Sequence, residues 1–271
     1  MKTTSALLTV TRHSAARWQV TVNAPPLNLV TPELVTDLHA LVTTLEADDE
    51  VKVVVFESAN DAFFLSHFDL GRAAEFPVMD DGRPMWTDMV VRLAKASAIS
   101  IASIRGRTRG GGDEFALACD LRYASRDRAV FQQPEVGVGI LPGGGASERL
   151  TRLIGRDRAL EVILTSDDYD ADTAERYGWV TRTLPDAELD EFVDSLAQRL
   201  ARFDRQALGA AKAQIGLNTL PDDHELYAAY DTYFASLGWP GYRDRGARLV
   251  AQAASHGADV ELRLGHYLGL L

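Results

Sequence analysis

The chain has 271 residues, of which 46% are hydrophobic, and a net charge of −11. That length suits one large domain or two small ones with a sizeable core. The acidic balance and the lack of a Lys/Arg-rich block argue against a nucleic-acid surface, and no apolar run is long enough to span a membrane. A single cysteine, Cys119, allows no disulfide framework within the chain; lacking a basic neighbour in sequence, it reads as a buried core residue rather than a nucleophile. The N-terminus lacks the charged, apolar and small-residue zones of an export signal, so a cytoplasmic protein is expected.

In chain order, residues 6–11 and 18–22 alternate as strands, and Asn23-Ala24-Pro25-Pro26 breaks them. Thr31-Pro32 is a helix start, with Thr as cap and Pro at the first helical position. Leu34, Leu38, Leu41, Val42 and Leu45 continue it as an apolar stripe ending near Asp48. Residues 51–57 form a β-branched run, hence a buried strand. The stretch FFLSHFDL (63–70) leads into a Pro-, Gly- and Asp-rich segment over 73–84. Met85, Trp86, Met89 and Val90 then open a helix towards Lys95, at a spacing that reads as core rather than pocket. A strand over 99–104 runs into Gly110-Gly111-Gly112, and a helix follows from about Asp113 to Cys119. Gln133-Pro134-Glu135 and a second glycine run, Pro142-Gly143-Gly144-Gly145, precede another helix. Beyond these come helices over 158–165 and 170–177, the latter stopped by Gly178, and a strand over 179–184 ended by Pro185. Amphipathic helices follow over 189–203 and 206–217. The remainder from Pro221 is mostly helical, with breaks at Trp239-Pro240-Gly241 and Gly257. There is no internal repeat and no low-complexity linker.

The first glycine turn carries the chemical argument. Glycine permits positive φ and a close approach of other atoms to the main chain. A helix starting there aims unpaired N–H groups and its positive dipole end outward. Such groups hold a phosphate, or a carbonyl oxygen gaining negative charge during reaction. The spacing fits neither a P-loop nor the dinucleotide fingerprint, which favours the oxyanion reading. Taken alone, GGG also fits a tight turn packed in the core. Beside each glycine run stands one glutamate, Glu114 and Glu135. Either alone reads as a solvated helix-start acid. None of the six histidines has metal-ligand spacing with another.

Three segments together resemble the crotonase superfamily, the enoyl-CoA hydratase/isomerase family. They are Gly106 to Asp120, Phe131 to Glu135 and Gly139 to Leu150, which match G-x-A-x-G-G-G-x-E-L-A-L-A-C-D, F-G-Q-P-E and G-x-x-P-G-x-G-G-T-Q-R-L. The likeness extends more weakly from about Leu7 to Ile215. It implies an α/β fold, a crotonase-like spiral of ββα units over 1–204 with a helical C-terminal trimerisation region over 205–271. It implies Glu114 as the group that activates water and Glu135 as the donor of the α-proton. Phe68 and Gly111 would supply the two oxyanion N–H groups, and Gly143 would help hold the water. The implied substrate is an acyl-CoA thioester, turned over without metal or redox cofactor by a homotrimer or dimer of trimers. An isomerase, a hydrolase or C–C lyase, and an idle CoA-thioester-binding subunit remain alternatives.

Several positions depart from that pattern. His67 replaces a glycine and reads as a structural histidine rather than a pocket acid or base; Phe68 replaces an alanine, and its N–H remains available. Twenty-one positions separate Glu114 from Glu135, one more than is commonest, and the extra residue falls in an expected turn at Ser125-Arg126-Asp127-Arg128. Arg107 and Arg109 are unusual beside the glycine turn and read as surface charges rather than pocket cations. The family's usual C-terminal pattern, which closes over CoA, is not recognisable in residues 241–271.

Overall fold

The computed structural model describes residues 2–4 and 7–271, the first three as backbone. The strands are β1 (Lys2–Thr4), β2 (Leu8–Arg12), β3 (Arg17–Val22), β4 (Val53–Ser58), β5 (Phe63–Leu65), β6 (Ile99–Ile104), β7 (Arg107–Arg109), β8 (Leu121–Ser125), β9 (Val130–Gln132), β10 (Tyr169–Asp170) and β11 (Arg182–Leu184). The helices are α1 (Pro32–Ala47), α2 (Met85–Lys95), α3 (Gly111–Ala118), α4 (Glu135–Val138), α5 (Ala146–Ile154), α6 (Arg156–Thr165), α7 (Ala171–Tyr177), α8 (Asp186–Ala201), α9 (Arg205–Thr219), α10 (Asp223–Ser236), α11 (Pro240–His256), α12 (Asp259–Leu262) and α13 (Leu264–Leu268). Ala6, expected at the head of the second of these strands, lies outside the described residues.

Two sheets share the strands. The larger has the order β1-β2-β3-β4-β6-β8-β11, and the smaller β10-β9-β7-β5. From β3 to β11 the larger sheet is parallel, as are β5, β7 and β9 in the smaller one. Successive strand pairs, β4-β5, β6-β7 and β8-β9, each place one strand in either sheet before a helix begins. This is the expected ββα spiral. It sets three equivalent junctions side by side at the carboxyl ends of β5, β7 and β9.

The side-chain pattern explains the layers. Parallel strands buried on both faces lose the usual polar alternation, and β4 is buried throughout its first four residues. Val54 and Phe56 face one core with Leu34, Leu38 and Met89 from α1 and α2. Val53 and Val55 face a second core with Leu189 and Val193 from α8. Each such aliphatic side chain contributes roughly 1.5–3 kcal/mol when fully buried. Helix α1 starts as expected, with Thr31 accepting the Leu34 N–H at 3.2 Å. Cys119 is buried in the first core, and burial pushes its thiol up to about 12. Lys212 of α9 donates to Asp120 at 2.8 Å and to the Ala98 carbonyl at 3.1 Å, tying that helix to the larger sheet. A third core joins α4 to the C-terminal helices through Val138, Ile140, Tyr233, Val260 and Leu264.

One element differs from expectation. The strand expected over 179–184 begins only at Arg182, because Trp179 is turned inward and its indole donates to Asp113 at 3.0 Å. The C-terminal stretch is helical, as expected, and packs onto the spiral through the third core.

Candidate active site

The three junctions build the site. After β7 the chain turns at Gly110 with φ of +49°, and its N–H donates to the Gln132 carbonyl at the end of β9, at 3.0 Å. The Gly112 N–H donates to the Ser66 carbonyl after β5 at 2.9 Å. So close is this approach that a Cβ on Gly112 would lie 2.0 Å from the Leu65 carbonyl oxygen. The glycine turn is therefore clamped between the other two junctions.

Phe68 sits in an extended bridge to Val30: Val30 donates to the His67 carbonyl at 3.0 Å, and Asp69 to the Val30 carbonyl at 2.9 Å. Successive N–H groups of an extended chain point to opposite sides. The Phe68 N–H thus turns away from Val30, and neither it nor the Gly111 N–H has an acceptor among the described residues. The Phe68 ring reaches 2.9 Å from the position a Gly111 Cβ would take. Beyond that contact the ring packs edge-on against Phe76 and Trp86 and stacks with Tyr233.

Both glutamates are buried, Glu114 at 1% and Glu135 at 7% exposure. Glu114 lies one turn into α3. Its Oε1 accepts the Gly144 N–H at 2.6 Å and the Ala146 N–H at 3.2 Å. Burial raises its carboxyl to about 7 against those two donors. Glu135 opens α4, with Oε1 2.5 Å from where a Gly110 Cβ would stand and Oε2 without a partner. Burial, then the Glu114 charge, push it well above the usual carboxylate range. One acid of the pair therefore keeps its proton while the other releases it near neutrality. Beneath them Asp113, raised by burial to about 8, accepts from Gln133 at 2.6 Å and ties the Glu135 junction to α3.

Gly143 lies under the Tyr233 ring, where a Cβ would be 2.5 Å from Cγ. The N–H that grips Glu114 belongs to its neighbour, Gly144. Two aromatics outside the motifs join the site. Trp86, read as core, is buried, but its indole N–H faces Gly144 and Glu114. Tyr233 comes from α10, and its hydroxyl is raised by burial and by charges that include Glu114 and Glu135.

Arg109 is not a surface charge. It is fully buried, donates to Asp168 at 2.5 Å and to the Glu261 carbonyl, while Arg107 donates to the Leu262 carbonyl at 2.7 Å. His67 lies 3.3 Å from Glu261 and 2.9 Å from the Phe68 carbonyl. Burial lowers its affinity for a proton, but the Glu261 carboxylate outweighs this, and the net shift is upward. These residues pin α12 across the glycine turn. A cavity of about 80 Å³ remains beside Glu135, between Phe68, Leu70, Val138, Tyr233 and the His67–Glu261 pair.

The family profile described as Enoyl-CoA hydratase/isomerase matches residues 12–236. Among curated relatives, the short-chain-enoyl-CoA hydratase of Clostridium acetobutylicum is 33% identical over 200 residues, covering 72% of this chain and 76% of that protein. The crotonyl-CoA hydratase of Syntrophomonas wolfei is 32% identical over 196 residues, covering 71% and 75%. The crystal structure of a proposed enoyl-CoA hydratase from Streptomyces avermitilis superposes with a TM-score of 0.94 at 42% identity, covering 100% of this chain and 99% of that one. Its match includes residues 237–271, which the family profile leaves out. The chain belongs to the enoyl-CoA hydratase/isomerase family of the crotonase superfamily.

Proposed function

We propose that the protein adds water across the double bond of an α,β-unsaturated acyl-CoA thioester. The observation that carries this reading is the pair Glu114 and Glu135, buried together in unlike surroundings beside the unpartnered N–H groups of Phe68 and Gly111. Ionised Glu114 would take a proton from water as its oxygen bonds to the β-carbon. Protonated Glu135 would give its proton to the α-carbon. The negative charge that gathers on the thioester oxygen in between would be met by the two N–H groups, without metal or redox cofactor. A homotrimer or dimer of trimers in the cytoplasm completes the reading. Its support is the exposed apolar surface of α9, where Ile215 is 65% and Leu217 77% exposed.

The test is Glu114→Gln, Glu135→Gln and the double variant, assayed on short, medium and aromatic enoyl-CoA thioesters in labelled water. Each single variant is expected to lose about 10²–10⁴-fold in rate. The double variant should be little worse, because both groups act through one water. Oxygen-18 must appear at the β-carbon with the wild type. Deuterium uptake without oxygen, with only Glu135→Gln severe, would make the protein an isomerase.

A further inference from the structure

Trp86 brings a polar atom into the site that the two-glutamate scheme does not use. The side chain is 2% exposed, yet its indole N–H has no acceptor among the described residues. A buried donor left without an acceptor is destabilising, so its position calls for an explanation. The atom is aimed at a definite point. A Cβ on Gly144 would lie 2.4 Å from Trp86 Nε1 and 2.3 Å from Glu114 Oε2. Only the missing side chain at Gly144 lets the two atoms face the same small space. The other Glu114 oxygen is committed to the Gly144 and Ala146 N–H groups. Across the site, Glu135 Oε2 is likewise buried and unpartnered.

We propose that Trp86 Nε1–H holds the attacking water, as the donor that complements the two carboxylates. The inference rests on the hydratase reading above. A water whose two hydrogens point to Glu114 Oε2 and Glu135 Oε2 has two lone pairs left. One must attack the β-carbon, and the other needs a donor. The Gly144 N–H is spent on Glu114, and the indole, aimed at the space beside Glu114 Oε2, supplies that donor in the place the resemblance gives to Gly143. It fixes the water's second lone pair and thereby aims the first. Edge-on packing against Phe68, with ring centroids 5.1 Å apart, keeps the indole in this orientation. Trp86 is thus a catalytic residue for hydration and idle in any step that moves only the α-proton.

That division defines the experiment. Trp86→Phe keeps an aromatic ring against Phe68 and removes the N–H; replacing Trp86 site-specifically by benzothienylalanine removes it with almost no change of shape. Two rates are measured on each protein: hydration of an enoyl-CoA, and exchange of the α-hydrogen of the matching saturated acyl-CoA in deuterium oxide. Exchange needs Glu135 and the Phe68 and Gly111 N–H groups but no attacking water, so it also reports that the site is folded. The expected result is a fall in hydration kcat of about 10²-fold, the cost of misplacing a reacting atom by about an ångström. KM and the exchange rate should stay within a factor of a few. Unchanged hydration kcat in both variants overturns the proposal, as does a parallel fall of hydration and exchange, which would make the indole a packing element only. A wild type that exchanges the α-hydrogen but hydrates no enoyl-CoA overturns the hydratase reading itself, and this inference with it.

Discussion

The two glycine runs of this site do different physical jobs. Around Gly110–Gly112 the missing side chains make room above all for main chain, where Gly112 meets the Leu65 and Ser66 carbonyls, and beside it for the Glu135 carboxylate at Gly110 and the Phe68 ring at Gly111. Around Gly143–Gly145 they make room for side chains: Tyr233 over Gly143, Trp86 and Glu114 over Gly144, Arg149 and Leu226 over Gly145. The first run is a joint of the spiral itself, holding strands β5, β7 and β9 in register. The second is a socket into which α2, α3 and α10 insert functional groups. Backbone cannot step aside, whereas side chains can rotate. The same substitution should therefore damage architecture in one run and chemistry in the other.

The largest expected effect is that of Gly112→Ala. Its methyl group would stand 2.0 Å from the Leu65 oxygen and 2.3 Å from the Leu65 carbonyl carbon, so the Ser66–Phe68 segment must move. Destabilisation of about 3 kcal/mol, at the upper end for overpacking, is expected in urea unfolding, together with loss of both hydration and α-hydrogen exchange. A stable, active variant would remove the joint from the argument. Gly144→Ala should be milder in stability, by about 1–2 kcal/mol, because the clash falls on the ends of Glu114 and Trp86. Hydration should drop about 10²-fold while exchange survives; equal loss of both rates would erase the distinction between the runs.

The smallest effect sharpens the comparison through pH. In the folded protein Glu114 titrates near 7 against an ordinary 4.5, so the folded state binds its proton more tightly than the unfolded state does. The stabilisation from this group is complete below 4.5 and is lost as pH rises through about 7. Glu114→Gln should match the wild type in stability at pH 4.5 and exceed it by roughly 1–3 kcal/mol above pH 7.5. Thermal unfolding at both ends of that range decides it, and a pH-independent difference would show that burial is not what shifts the carboxyl.

Long elements were legible in the sequence because they carry a period. The Thr31 cap with its Leu stripe, the β-branched run of β4 and the apolar strand β6 read directly. The smaller sheet did not, since β5, β7 and β9 have three residues each and show no period. That is why Arg109 read as a surface charge: its strand was invisible, and its partners Asp168 and Glu261 lie 59 and 152 positions further on. Glu114, Glu135, Phe68 and Gly111 stood in motifs, and the fold gathers them. Trp86 sits at a core spacing and is in fact buried; only the direction of one N–H makes it more than core, and periodicity carries no such direction. Gly143 and Gly144 are likewise indistinguishable as letters, though the turn points them at different neighbours.

The clasp between the glycine turn and α12 has a consequence for modularity. His67, Arg107, Arg109 and Asp168 all belong to the spiral, while Glu261 and Leu262 belong to the last stretch of chain. Exchanging either part alone would part Glu261 from His67 and leave the buried Arg109 guanidinium to find another carbonyl beside Asp168. For anyone recombining members of this family, the unit of inheritance is neither the spiral nor the tail but this scattered set, which crosses a chimera's seam intact or not at all.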